Sequence, residues 1–194
     1  MPNQVQEWRD LLKRAQKDDA LVAIYSDPDS PRRFAVGWVE ALSEEHVVLR
    51  HISPSGMYDG YALRFLEDVF RVETGGRYMA KALHLYRARE QRHLTDFLPD
   101  SPSSDLLSEL LLAAQKREVG VFVALEESEL LGWVRGVGDE TVTLERLDEY
   151  GESDGEVTIA FDQVLAVNAD DSELQDLKLL SQRHSNRPPD WLDI

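Results

Sequence analysis

The side chains that could do chemistry in this chain are scattered rather than gathered. Histidines stand at His46, His51, His84, His93 and His184, and no two share the short spacing of a metal-binding helix or finger. There is no cysteine. That removes a thiolate metal site, a cysteine nucleophile and a disulfide framework, and it fits a reducing compartment. Ser53, Ser55 and the serines of 101–104 lack the strand–turn–helix setting of a nucleophile elbow. No Gly-rich phosphate loop occurs. Carboxylates are densest in Asp148-Glu149-Tyr150-Gly151-Glu152-Ser153-Asp154-Gly155-Glu156. A calcium role is open there, although the order departs from an EF-hand, which alternates oxygen ligands, turns on a Gly and closes on a Glu. Asp59-Gly60 and Asp154-Gly155 read first as turns. The expectation is therefore no catalytic set, no cofactor and no metal, in a protein that is not an enzyme.

Cations and indoles are the other groups with recognition chemistry. Arg50, His51, Arg64, Arg71, Arg87, Arg89 and Arg92 form the candidate partner surface, with Arg77 and Lys81 on the same closing helix. Such a face can attract nucleic acid, dock on an acidic surface or be solvated. Charge is divided unevenly along the chain. Residues 1–99 hold 14 Lys/Arg against 15 Asp/Glu, a net of −1; residues 100–194 hold 7 against 22, a net of −15. The second half repels phosphate, so a nucleic-acid partner is disfavoured overall and remains an alternative only for the first half. Trp38 and Trp133 share strand parity with Glu40 and Arg135 and so point away from a barrel interior. Each is either covered by a closing helix or open to a partner.

These groups sit on a duplicated unit. Gly37-Trp38-Val39 returns 95 positions later as Gly132-Trp133-Val134. The offset then holds for Val47 and Leu49 with Val142 and Leu144, for Gly56, Asp59 and Gly60 with Gly151, Asp154 and Gly155, and for Val69 and Val72 with Val164 and Val167. A fixed period of this length marks a repeated structural unit. An amphipathic helix is expected over 4–17, capped by Asn3, with a counterpart over 105–117 capped by Ser104. Both end in Ala-Gln-Lys. Strands follow at Leu21–Tyr25, Phe34–Leu42, Val47–Ile52, Tyr61–Leu66 and Val69–Glu73. Those of the second half are Val119–Ala124, Leu130–Val137, Val142–Leu147, Glu156–Phe161 and Val164–Asn168. The Gly inside the second strand of each set signals a bend or a close backbone approach. A closing helix ends each half, the second opened by a Ser172-Glu173-Leu174-Gln175 capping box. The domains are thus expected at 1–94 and 105–184, with a linker at 95–104 and a tail at 185–194. The N-terminus has neither the basic nor the apolar region of a signal peptide, and no apolar run reaches a membrane span, so a cytoplasmic, membrane-free protein is expected.

A helix followed by five strands, with Gly37, Val39, Glu44-Glu45 and Leu49, and again Gly132, Val134, Asp139-Glu140 and Leu144, resembles the first motif of the Sm-like fold among the SH3-like small barrels. The resemblance implies a mainly β, α+β protein of two tandem five-stranded barrels, each preceded and followed by a helix. It also implies RNA binding, through an Asp-x-x-Met-Asn turn and an Arg-Gly. At those places the chain has Glu44-Glu45-His46 and Asp139-Glu140-Thr141, then Glu67-Asp68 and Asp162-Gln163, so neither contact set is present. The run Val36–Val39 with Ile52–Gly60 is also similar to uncharacterised bacterial cytosolic proteins, a likeness that implies no activity. The reading that follows is protein–protein contact or self-assembly, the latter through open sheet edges. RNA binding by the Arg-bearing first half, with access modulated by the acidic second half, is the alternative.

Overall fold

The computed structural model describes residues 2–93, 96–99 and 102–184. The expected tail at 185–194 and linker positions 94, 95, 100 and 101 lie outside the described residues. The chain is mixed α+β, mostly β, and divides into two compact units, Met1–Leu110 and Leu111–Ile194.

The first unit runs α1 (Pro2–Lys17), β1 (Leu21–Tyr25), β2 (Ala35–Leu42), β3 (His46–Ile52), β4 (Tyr58–Phe65), β5 (Arg71–Thr74) and α2 (Arg77–Ala88). Helix α3 (Leu106–Arg117) crosses the boundary. The second unit continues with β6 (Gly120–Ala124), β7 (Glu129–Val137), β8 (Thr141–Leu147), β9 (Ser153–Ala160), a 3-10 turn at Phe161–Gln163, β10 (Ala166–Ala169) and α4 (Ser172–His184). Strand order is β5-β1-β2-β3-β4 in the first unit and β10-β6-β7-β8-β9 in the second, antiparallel throughout each. Within a unit the fourth and fifth strands lie at opposite ends of this order, and no ladder joins them. Each sheet is therefore antiparallel and open by its hydrogen bonds between these two strands.

Helices cover both faces of the first sheet. Leu12 and Ala15 of α1 pack with Val22, Ile24, Val39, Val47 and Leu49. Met79 and Ala82 of α2 pack with Leu21, Ala23, Val36, Trp38 and Ile52. Alternate residues of β1 thus serve opposite cores, and the whole strand is buried, which is why Leu21–Tyr25 reads as an unbroken apolar run. Each fully buried Leu or Ile contributes roughly 1.5–3 kcal/mol. In the second unit Val121, Val123, Val142 and Leu144 are fully buried, and α4 packs against β6.

Four local expectations are corrected. Helix α1 begins at Pro2, so Asn3 lies inside it; a proline suits a first helical position, where its missing N–H costs nothing. Helix α3 is capped by Asp105, whose carboxylate accepts the Ser108 amide at 3.1 Å, and not by Ser104. The Leu174 amide of α4 donates to Asp171 at 3.0 Å, so the carboxylate one residue before Ser172 caps that helix. In both cases a charged acceptor near the positive helix end outcompetes a hydroxyl. The Asp-Gly pairs are not the turns. Those are closed by Ser53 N–H to the Met57 carbonyl at 3.0 Å and by Asp148 N–H to the Glu152 carbonyl at 3.0 Å. Asp59 and Asp154 are already inside β4 and β9, which start three residues earlier than expected.

Candidate functional site

The candidate partner surface of the first unit is largely neutralised by its own carboxylates. The Arg50 guanidinium lies 3.1 Å from Glu40 and 3.2 Å from Asp19. His51 Nδ1 is 3.2 Å from the Asp59 carboxylate. Arg71 pairs with Glu73 and lies over the Tyr25 ring at 4.7 Å. Arg64 donates to the Leu63 carbonyl at 2.7 Å, and burial pushes its guanidinium down to about 10. Arg89 donates to the Ser55 carbonyl. Arg87 and Arg92 are exposed, as are Arg77 and Lys81. The seven expected residues therefore do not form one open cationic face. Arg50 and Arg71 are bound up in ion pairs and His51 lies against Asp59, while Arg87 and Arg92 belong to the solvent side of the α2 region.

These pairs follow the repeat. Trp38 faces Arg50 across β2 and β3, and Trp133 faces Glu145 across β7 and β8. The Arg50–Glu40 pair returns as Glu145–Arg135, with the two charges exchanged between strands. Hydrogen bonds from Ser153 and then from Arg135 hold the Glu145 carboxyl below its ordinary range. The His51–Asp59 pair returns as Arg146–Asp154, the latter at 2.8 Å. Asp59 and Asp154 are thus strand residues that hold a cross-strand side chain, His51 in one unit and Arg146 in the other. Gly60 and Gly155 take the positive φ, 70° and 82°, that the accompanying bulge demands. The acidic stretch after β8 is likewise occupied. Asp148 accepts the amides of Tyr150 at 2.9 Å and Glu152 at 2.8 Å, and Asp154 holds Arg146. The charge exchange is written in the sequence itself, where Glu40 and Arg50 stand at the positions of Arg135 and Glu145 in the repeat.

The two tryptophans have different surroundings. Trp38 is 8% exposed. Tyr86 of α2 stands edge-on to it at 5.1 Å, His93 at 5.7 Å, and the Arg50 guanidinium lies 5.5 Å from its ring. The closing helix therefore covers this indole, one of the two alternatives open from sequence. His93 is a structural histidine. Its Nε2–H donates to the His51 carbonyl at 2.8 Å, and its Nδ1 accepts the Tyr86 hydroxyl at 2.9 Å. Burial pushes its pKa down to about 4. The unfolded imidazole titrates near 6.5, so below that pH the unfolded chain takes up a proton that the folded one refuses. Stability is complete above about pH 6.5 and falls progressively to about pH 4, by roughly 2 kcal/mol after allowance for partial exposure. His46 is 5% exposed and also lowered by burial, so it adds the same sign of slope. Urea titrations at pH 7.5 and 4.5 should therefore show a smaller acid loss in His93→Phe than in the native chain. Parallel pH dependences would contradict this assignment.

Trp133 is only half-buried. Beside it is a cleft of about 350 Å³, walled by Trp133, Ala114, Val119 and Val134 and edged by Lys178 and Ser181. Its place in the repeat is set by the backbone. A Cβ on Gly56 would meet the Ala82 carbonyl oxygen and the Tyr86 nitrogen; a Cβ on Gly151 would meet the Leu177 carbonyl oxygen and the Ser181 nitrogen. Ser181 therefore stands where Tyr86 stands in the first unit. The cleft occupies the place of the missing phenol ring. Polar groups at its edge are engaged: Gln115 donates to the Arg135 carbonyl at 2.7 Å, Lys178 to the Glu118 carbonyl, and Ser181 to the Lys178 carbonyl at 2.9 Å. What remains is an indole face beside Ala114, Val119 and Val134 with Gln115, Glu118 and Arg135 also in the lining, an arrangement suited to binding and without a paired nucleophile and base. Among the described residues no helix is long and apolar enough to cross a membrane, and no three His, Asp or Glu side chains gather as a metal set. Compared with protein-family models, curated proteins and solved structures, the chain matches none.

Proposed function

We propose that this chain is a non-enzymatic cytoplasmic protein of two tandem Sm-like barrels that acts by holding a protein partner, with the Trp133 cleft of the second unit as the contact. The observation that carries this reading is the contrast between the units. The same indole is enclosed by Tyr86, His93 and Arg50 in one and left beside an open cleft in the other. An aromatic anchor in a concave setting is a common centre of a protein contact. Self-assembly through sheet edges has less support. Strand β9 ends the order of the second unit and exposes Asp154 and Glu156, charges that discourage edge pairing.

The test is capture from the native cell with the tagged full chain, with and without nuclease, set beside Ser181→Tyr. The first unit accommodates a Tyr at this position, so the variant should fold. The expected result is a partner retained after nuclease and lost to Ser181→Tyr. Loss of all capture on nuclease treatment would overturn the reading. It would favour the alternative of RNA binding through the first unit, for which the exposed Arg77, Lys81, Arg87 and Arg92 speak. That alternative requires the full chain to shift RNA at low salt and release it steeply as salt rises.

A further inference from the structure

We infer that the Trp133 cleft is a socket for one aromatic side chain of the bound partner, seated edge-on to the indole. The inference rests on the protein-binding reading above and specifies its chemistry.

The first unit supplies the template. There the place is filled by a phenol ring, 5.1 Å from the Trp38 ring with an interplanar angle of 61°. Edge-to-face pairs of this kind are favoured by the ring quadrupole beyond simple area burial. In the second unit the counterparts of Tyr86, Arg50 and Leu83 are all changed, and that of His93, Pro188, lies outside the described residues. Ser181 replaces Tyr86 and has no ring. Glu145 replaces Arg50 and is drawn to Arg135, so no cation lies over the indole from that position. Lys178 replaces Leu83, and its ammonium donates to the Glu118 carbonyl at the edge of the cleft. Gln16 and Gln115 make the same bond to the strand, to the Glu40 and Arg135 carbonyls, so the helix end and strand keep their relation while the Tyr86 ring does not return.

Size and charge narrow the occupant. About 350 Å³ is at the small end of ligand cavities, enough for a phenol or indole and its linking carbon. Residues 100–194 hold 22 Asp/Glu against 7 Lys/Arg, so an acidic segment is repelled and a Tyr, Trp or Phe in a neutral or basic segment is favoured.

The full chain labelled with 5-fluorotryptophan reports on this directly, its fluorine resonances assigned by single Trp→Phe substitutions. N-acetyl-tyrosinamide and N-acetyl-tryptophanamide should shift the Trp133 resonance and leave that of Trp38 in place. N-acetyl-leucinamide at the same concentration should do neither. Ser181→Tyr should weaken the response at Trp133 roughly tenfold or more, with an unchanged Trp38 resonance certifying the fold. Tyr86→Ser is the converse variant and should create a response at Trp38. No shift with either ring probe overturns the inference, as does an equal shift with the leucine probe or a full response in Ser181→Tyr. If the native chain is silent and Trp191→Ala responds, the chain's own indole fills the socket and the partner assignment is overturned. If ring probes fail while nuclease-resistant capture persists, the partner is held elsewhere and only this inference falls. If ring probes bind while capture fails, the socket stands and the protein-partner reading falls.

Discussion

Replacing Gly37 with alanine should unfold the first unit. The added Cβ would lie 2.1 Å from the Arg50 carbonyl oxygen and 2.8 Å from its carbon. These are backbone atoms of β3, held by the ladder that pairs Gly37 with His51, and they cannot rotate away as a side chain could. Relief requires the two strands to part where β2 carries both cores of the unit. The expected cost is about 4 kcal/mol or more, comparable with the whole stability of a small domain, roughly 5–15 kcal/mol. Gly132→Ala meets the Glu145 carbonyl oxygen at 2.3 Å and should do the same to the second unit. Gly136→Ala is the control: nothing lies within 4 Å of its added Cβ, and it should be near neutral. Calorimetry separates these cases. A Gly37→Ala chain that melts with the native profile would show that the strands yield more easily than this geometry allows.

The second large effect is an unequal cost of the two tryptophans. Trp38→Ala empties a site closed by Tyr86, His93 and Arg50, and should cost about 3–5 kcal/mol in urea unfolding. Trp133→Ala removes an indole already half open to a cleft, and should cost about half as much. The order follows from what each ring touches, since sequence context is the same for both. Equal losses would mean that the Trp133 cleft is filled in solution, and would remove the basis for a binding role there.

Some of this was legible in the sequence for physical reasons. The apolar run Leu21–Tyr25 and the helical stripe through Leu12 and Ala15 are local patterns, and their elements form where those patterns stand. Gly37 and Gly132 announced a close approach because a mid-strand glycine forfeits stability unless the space is needed. Turns and caps were less legible. Asp59-Gly60 has the composition of a turn, but its Asp meets His51 across the strand and its Gly has a bulge to form, and tertiary pairing overrode local preference. Asp105 and Asp171 displaced the neighbouring serines as caps by being the stronger acceptors.

The surface was least legible, because a cation is counted in a sequence and neutralised in space. Arg50 counted toward a basic face until strand register set Glu40 beside it, and Arg71 until Glu73, two residues along the same strand, paired with it. By itself, the sequence determined that one α+β unit is present twice, which residues build its strands and helices, and that its second copy is acidic. Period, propensity and composition suffice for that, since each acts within a few residues. Only the tertiary structure decided that each sheet is open by its pairing, that charge pairs are exchanged between copies, and that Tyr86 fills a place which Ser181 leaves empty. Those facts depend on which residues meet across strands and between helix and sheet, and no local pattern carries that information.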